Sequence, residues 1–301
     1  MNYISRTLLL LSLSLLLFAG CGEDVGREPV ISVSIAPLGW FVSEIGGDGY
    51  RVNVMVPPGA DPHTYEPSPS AVSDLGRSSV WVSNSYLDFD MAWGERFMAV
   101  NPEMKRVDMA EGQDLLHARE HRHGDHVHYE GVDPHFWLSP LSASIMATAV
   151  RDMFIEFDPD NSDLYNSNWR RVAAVIDSVQ KEAANRLEPY AGESFFIYHP
   201  VLAYYARDFG LEQVPVEYDG KEPSPARLRG LIDKGRKLGI GAILVQEEFD
   251  VSSARVIASD IGAGVRIIYP LSPDWPGAVM DITDALVESF GEAVKRRDQG
   301  N

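Results

Sequence analysis

One long segment without glycine or proline divides this chain into two parts, and it constrains the fold more than any other feature. The segment runs from Ser162 to Leu187, and its apolar residues recur at spacings of three and four. Because this is the period of an amphipathic helix, we predict one long helix here. Its apolar face consists of Trp169, Val172, Ile176, Val179, Ala183 and Leu187.

Short extended runs alternate with helical patterns on both sides of this helix. Before it, the pattern predicts strands at 30–36, 50–57 and 78–84 and helices at 38–47 and 141–157. After it, the pattern predicts strands at 194–199, 212–218, 241–246 and 264–270 and helices at 224–239 and 252–262. This repetition is typical of mainly parallel sheets flanked by helices.

We therefore predict an α/β protein made of two Rossmann-like lobes. The N-terminal lobe would span residues 30–158 and the C-terminal lobe residues 191–301, with residues 159–190 as the linking backbone helix. Two lobes joined in this way leave a cleft between them, and clefts at domain interfaces are common ligand sites.

The start of the chain carries the features of an export signal. Arg6 precedes an apolar run from Leu8 to Phe18, which is too short for a comfortable membrane span, and small residues follow. We interpret residues 1–20 as a signal peptide and residues 21–29 as a polar tether. Cys21 is the only cysteine, which excludes an intramolecular disulfide.

The charge of the chain argues against nucleic acid as a partner. The formal net charge is −18, and removal of a leader whose one charged residue is Arg6 makes it −19. Such a surface repels a phosphate backbone, whereas it concentrates cations nearby.

Five of the eight histidines lie in one polar segment, residues 116–131. Their spacing is irregular, so they do not form one helical face, and we predict an exposed, mobile loop. These residues are His117, His121, His123, His126 and His128.

The other three histidines follow predicted strands and precede helices. His63 and His135 share the local sequence Asp-Pro-His, and His199 ends the run "FFIYH". Ligands of open α/β sheets bind at such strand ends, and proline stiffens the turn that carries each imidazole. Three converging imidazoles would suit a borderline divalent metal, with zinc as the leading case.

Several segments together resemble one known family. They are "VPPGADPHTYEPSPS", "DPHFWLSP", "IYHPVLAYYARDFGLEQVPVE", "GKEPSP" and "LVQEEFD", in this order between about Val30 and Phe290. They resemble the zinc and manganese solute-binding proteins of bacterial ABC importers, the cluster A-I proteins. The resemblance implies two α/β lobes on a rigid helix, a metal bound between them, and delivery of that metal to a membrane permease. It places His63, His135 and His199 at the three histidine ligand positions.

Two departures from the family pattern bear on the metal. Manganese members tend to carry a carboxylate at the third position, where this chain has His199, so zinc is favoured over Mn²⁺. Many members use an aspartate of the second lobe as the fourth ligand, whereas Tyr269 stands in the corresponding segment, "IIYPLSPDW". The fourth position would then be filled by water or by another carboxylate. The candidates are Glu248, Glu247 and Asp274.

Two further segments of the chain resemble features of this family and of bacterial lipoproteins. The histidine-rich segment resembles an insertion seen in many zinc members, which implies an auxiliary role in collecting metal or sensing zinc excess. "LFAGC" resembles a lipobox, although Phe18 departs from the usual leucine-like residue. It implies a lipid on Cys21 that anchors the protein to a bacterial membrane, in the periplasm or at the cell surface.

The sequence thus favours a monomeric zinc-binding protein of an importer, without catalytic turnover. Two alternatives stay open. A zinc hydrolase or lyase would use the same three histidines with an open fourth position, although the chain lacks an HExxH pair. An extracytoplasmic metal buffer or adhesin on the same scaffold is the other.

Overall fold

The structure, a computed structural model, describes residues 28–123, 126–217 and 223–299. The side chains of residues 118–130 and 297–299 are not part of this description. The predicted signal peptide, Cys21 and most of the predicted tether lie outside the described residues.

The N-terminal lobe is built on a four-stranded parallel sheet in the order β2-β1-β3-β4. Its strands are β1 (Val30–Val33), β2 (Arg51–Val54), β3 (Ser78–Ser83) and β4 (Lys105–Asp108). Its helices are α1 (Ala36–Gly46), α2 (Pro69–Leu75), α3 (Asp88–Val100) and α4 (Pro140–Phe157). All four strands run in the same direction, as the alternating pattern predicts.

The histidine-rich segment differs from the predicted loop. It forms two antiparallel strands, β5 (His117–His123) and β6 (His126–Val132). The expectation of a loop was wrong because it relied on the absence of an apolar face, whereas a two-stranded hairpin needs only paired backbone groups. Its base is closed by the Asp133 amide, which donates to the Leu116 carbonyl at 2.8 Å, and the Leu116 amide donates to the Tyr204 hydroxyl of the other lobe at 2.9 Å.

The linking helix is α5 (Ser162–Leu187), at the position that the spacing of apolar residues predicts. Val172, Ile176 and Leu187 on its apolar face are buried. The helix packs against α1 and α4 of the first lobe and against the C-terminal helix of the second. It therefore supports both lobes at once.

The C-terminal lobe repeats the architecture with the strand order β10-β9-β7-β8, again all parallel. Its strands are β7 (Ser194–Ile197), β8 (Glu212–Pro215), β9 (Ala242–Gln246) and β10 (Gly264–Ile268). Its helices are α6 (Ala203–Phe209), α7 (Pro225–Leu238), α8 (Ser252–Ile261) and α9 (Trp275–Gln299). Across the ranges given above, no helix combines the length and apolar character that a membrane span requires.

Two buried tryptophans connect the lobes beneath the cleft. The indole N–H of Trp137 donates to the Pro270 carbonyl at 2.9 Å, and that of Trp275 donates to the Trp137 carbonyl at 2.6 Å. Both side chains are at most 1 % exposed. Burial of large aromatic rings with their N–H groups satisfied is strongly stabilising, so this contact fixes how the lobes meet. Trp137 lies two residues after His135, which places the contact next to the predicted metal ligand.

Candidate metal centre

The three isolated histidines come together between the lobes. His63 follows β2, His135 lies between β6 and α4, and His199 follows β7. One ring nitrogen from each lies within 4.8 Å of the other two. The Nε2 atoms of His135 and His199 are 3.3 Å apart. This separation matches the edge of a tetrahedron whose corners lie about 2.0–2.1 Å from a central zinc ion.

A carboxylate orients each of the three imidazoles. The Nδ1–H of His63 donates to Asp88 at 2.7 Å, that of His135 to Asp133 at 2.8 Å, and that of His199 to Glu217 at 2.5 Å. With Nδ1 holding the proton, Nε2 carries the free lone pair and can bind metal. Metal-binding histidines usually have such partners, which fix the tautomer and raise ligand basicity.

Asp88 and Glu217 were not among the residues that the sequence analysis singled out. Asp88 is the first residue of α3, and Glu217 follows β8, the strand next to β7. The signal that could have found Glu217 is an acidic residue at the carboxyl end of a strand beside the one that carries His199. Finding Asp88 would have required the packing of α3 against the loop of His63.

The shared Asp-Pro-His sequence has a local role in both places. The backbone N–H of His63 donates to Asp61 Oδ1, and that of His135 donates to Asp133 Oδ1, each at 2.9 Å. These are turns closed by an aspartate side chain, a common use of Asp two residues before the donor. Asp133 also accepts a hydrogen bond from the imidazole of His135 in the same turn. The imidazole of His63 instead donates to Asp88, which lies outside its turn.

The imidazoles differ in exposure and therefore in pKa. The side chains of His63, His199 and His135 are 24 %, 12 % and 5 % exposed. Burial lowers the pKa of His135 to about 4, despite the opposing charge of Asp133. Burial also disfavours protonation of His63, but the hydrogen bond with Asp88 and the nearby negative charges outweigh it and raise its pKa above 6.5. The same hydrogen bond lowers the pKa of Asp88.

A small cavity of about 20 Å³ adjoins the three imidazoles. A space of this size has room for one water molecule or one small ion. Its polar lining consists of the three histidines with Asp61, Gln246 and Glu248, and its apolar lining of Pro62, Trp137, Val201, Phe249, Pro270 and Leu271.

The proposed fourth-ligand residues differ in position. Glu248 lines the cavity, and its Oε1 atom is buried without a hydrogen-bond partner in the described part of the chain. Burial raises its pKa to about 7. Glu247 is exposed. Asp274 accepts a hydrogen bond from the amide of Gly277 at 3.1 Å, at the start of α9. Neither Glu247 nor Asp274 lines the cavity. Tyr269 is 44 % exposed and also lies outside the lining.

The other five histidines belong to the two strands of the hairpin, β5 and β6. The register sets His121 opposite His128 and His123 opposite His126. The side chains of these four lie outside the described residues, so their relation to the cavity is not part of the structure. The hairpin joins the site through Asp133, which directly follows β6 and binds His135.

The chain is similar to known proteins of zinc-uptake systems. The family model "Zinc-uptake complex component A periplasmic" matches residues 31–289. The zinc-binding lipoprotein AdcA of Streptococcus pneumoniae is 27 % identical over 277 residues, which cover 88 % of this chain and 55 % of AdcA. The high-affinity zinc uptake system protein ZnuA of Bacillus subtilis is 27 % identical over 272 residues, covering 85 % of each chain.

The fold is similar to that of a solved ZnuA structure. The two superpose with a TM-score of 0.81 at 34 % identity, over 87 % of this chain and 99 % of ZnuA. The chain therefore spans nearly all of that ZnuA but only about half the length of the streptococcal AdcA.

Proposed function

Because the chain belongs to the family of periplasmic zinc-uptake components, we propose that it captures Zn²⁺ outside the cytoplasm and delivers it to an ABC-type importer. The observation that carries this function is the convergence of three carboxylate-supported imidazoles between the lobes. The similarity to AdcA, a zinc-binding lipoprotein, and to ZnuA, a zinc uptake protein, supports the same role.

The ligands of the cargo are His63, His135 and His199. Three neutral imidazoles suit zinc better than manganese, which prefers harder oxygen ligands. Mn²⁺ should therefore bind more weakly at this centre. His63 is the most exposed of the three, so we expect an entering ion to meet it first, whereas His135 is nearly enclosed.

The hairpin serves as an auxiliary metal collector. The segment contains five of the eight histidines, His117, His121, His123, His126 and His128. Five imidazoles this close in sequence would hold zinc locally and raise its concentration near the cleft.

The remaining parts of the proposal concern cellular context. The leader directs export, a lipid on Cys21 anchors the monomer to a bacterial membrane, and a cognate permease receives the metal. The chain performs no turnover, in keeping with a family of solute-binding transport proteins. A hydrolase or lyase would need a zinc-bound water beside a base, and Glu248 is the residue on which that alternative depends.

Growth under zinc limitation tests this function. Cells that lack the gene should grow poorly in medium with a zinc chelator, and added zinc or the intact gene should restore growth. A gene carrying His135→Ala should not restore it. The gene carrying Glu182→Gln, a change on the exposed face of α5, is the matched control and should restore growth fully. A deletion strain whose growth does not depend on zinc supply would contradict the proposed function.

A further inference from the structure

We infer that Glu248 is the fourth ligand of the bound metal, supplied by the second lobe from the loop between β9 and α8. This inference rests on the proposed zinc site. Its first support is that Glu248 shares the small cavity with all three histidines. Its second support is that Oε1 is buried there without a hydrogen-bond partner in the ranges that the structure describes. A buried carboxylate oxygen left unpaired is costly, so such a group is expected to have a partner in the functional state.

The other acidic groups around the centre already have partners. Asp61 accepts the amide of His63 at 2.9 Å through one oxygen and the hydroxyl of Thr64 at 3.1 Å through the other. The carboxylates that hold the three imidazoles are Asp88, Asp133 and Glu217. Glu248 is thus the acidic residue of the lining whose carboxylate keeps a buried oxygen available for a metal ion.

Residues on both sides of Glu248 in its loop contact His199. Gln246 donates its amide to the His199 carbonyl at 2.6 Å and accepts the His199 N–H at 3.3 Å. The Phe249 ring stacks on the imidazole with centroids 5.1 Å apart and planes inclined by 23°. Residues 246 and 249 therefore fix the loop relative to one ligand, and Glu248 lies between them.

The carboxylate oxygens of Glu248 are not among the ligand atoms that lie within 4.8 Å of one another, which belong to the three histidines. Glu248 has three rotatable side-chain bonds, and a change of rotamer must bring Oε1 to the metal if Glu248 is to act as a ligand. The bound zinc would then have three nitrogen ligands and one oxygen ligand.

This assignment explains how the site can lack the aspartate that the family pattern leads one to expect. Tyr269, at that place in the chain, is exposed and outside the cavity lining. The second lobe would supply its carboxylate from the loop after β9 instead of the loop after β10. A four-ligand site without an open position is typical of metal binding, whereas an open position is typical of hydrolysis.

Cobalt spectroscopy and zinc competition titrations test the assignment. Metal-stripped full-length protein would be compared with Glu248→Gln, Glu248→His and Glu247→Gln, each titrated with Zn²⁺ against a chromophoric chelator and with Co²⁺ alone. We expect Glu248→Gln to weaken zinc binding at least ~10-fold, the lower end of what loss of even an outer-shell partner costs. The intense visible bands of four-coordinate Co²⁺ should weaken in the same variant.

The other variants separate a ligand from a structural residue. Glu248→His supplies a new metal-binding atom and should recover much of the affinity, which a structural role would not permit. Glu247→Gln removes the same charge from the same loop at an exposed position and should change neither readout. Glu248→Gln with wild-type affinity and an unchanged Co²⁺ spectrum would overturn the inference. So would zinc-dependent ester hydrolysis in the wild type that Glu248→Gln abolishes, since Glu248 would then act as a base. Failure of the wild type to bind zinc tightly would instead reject the proposed function.

Discussion

The three-histidine cluster and the histidine-rich hairpin together contain all eight histidines of the chain, yet they are organised in opposite ways. The cluster brings residues from distant parts of the sequence together, and a carboxylate orients each imidazole. The hairpin places five histidines close together through sequence proximity and one antiparallel pairing.

This difference separates affinity from capacity. An imidazole held in place by a carboxylate and by packing loses little freedom when a metal binds, so the binding energy is retained as affinity. Two-stranded hairpins are marginally stable alone, so an imidazole on such a hairpin is expected to lose more freedom when it binds a metal. We therefore expect one tight site in the cluster and weaker sites on the hairpin.

Removal of a buried cluster ligand should have the largest effect. His135→Ala takes away a ligand whose side chain is 5 % exposed, so water cannot easily replace it. Zinc affinity should fall by more than the ~10–100-fold that loss of an outer-shell partner costs. Competition titration against a chelator measures this loss. His117→Ala in the hairpin is the control, and equal losses in both variants would remove the distinction between the two regions.

Removal of a carboxylate that orients an imidazole should cause the second-largest loss of zinc affinity. Asp133→Asn leaves a side chain of the same shape whose oxygen can still accept from the ring and backbone N–H of His135, but it removes the negative charge that strengthens both hydrogen bonds. We expect zinc affinity to fall ~10–100-fold. The titration is the same, with Asp177→Asn as the control because its ion pair with Lys181 lies on the exposed face of α5. Wild-type affinity in Asp133→Asn would mean that the carboxylates do not contribute to binding.

The pH dependence of zinc affinity should be set by the most exposed ligand. Zinc needs a neutral imidazole, and protons compete only below the imidazole pKa. The pKa of His63 is raised above 6.5, so competition should begin there as the pH falls, while His135 stays neutral down to about pH 4. Below the His63 pKa the affinity should drop about tenfold per pH unit for one competing proton.

Asp88→Asn should move that onset to lower pH. Without the carboxylate, the His63 imidazole loses the hydrogen bond and the charge of Asp88 that raise its pKa, while burial still disfavours protonation, so that pKa should fall. Dissociation constants measured between pH 5 and pH 8 would show the shift. An onset that is the same in both proteins would indicate that another group controls the pH dependence.

Removal of the link between the hairpin and the cluster should have the smallest effect on zinc binding. The Tyr204 hydroxyl donates to the Asp133 carbonyl at 2.7 Å and accepts the Leu116 amide at 2.9 Å, at the base of the hairpin. Tyr204→Phe removes two hydrogen bonds worth about 0.5–1.5 kcal/mol each, which should lower the free energy of unfolding measured with urea. Zinc affinity should hardly change, with exposed Tyr269→Phe as the control. A large loss of affinity would show that the hairpin and the cluster act as one unit.

The fold could be predicted largely from local patterns. Alternating extended and helical runs predicted every strand of the two parallel sheets except β4, and the spacing of apolar residues predicted α5, because these signals depend on neighbours in the chain. The pattern did not predict β4, α2, α3, α6 or α9, which are short or mix charged and apolar residues. It also did not give the hairpin, whose pairing depends on backbone hydrogen bonds.

The site shows the same division between local and long-range information. His63, His135 and His199 could be selected from the sequence because each follows a strand or repeats a short motif. The roles of Asp88 and Glu217 depend on tertiary packing and strand order, which no single stretch of sequence encodes. The sequence likewise gave no reason to separate Glu248 from Glu247, since the turn alone decides which side chain faces the cavity.

A metal competition titration on protein without the hairpin tests whether the three-histidine cluster is the functional metal centre. The metal-stripped chain would have residues 117–132 replaced by a short glycine-serine linker, and Zn²⁺ and Mn²⁺ would compete for it. We predict that one tight site per molecule remains and that it prefers zinc, with only the weaker additional binding lost. Disappearance of tight zinc binding together with the hairpin would contradict the assignment of His63, His135 and His199 as the functional centre.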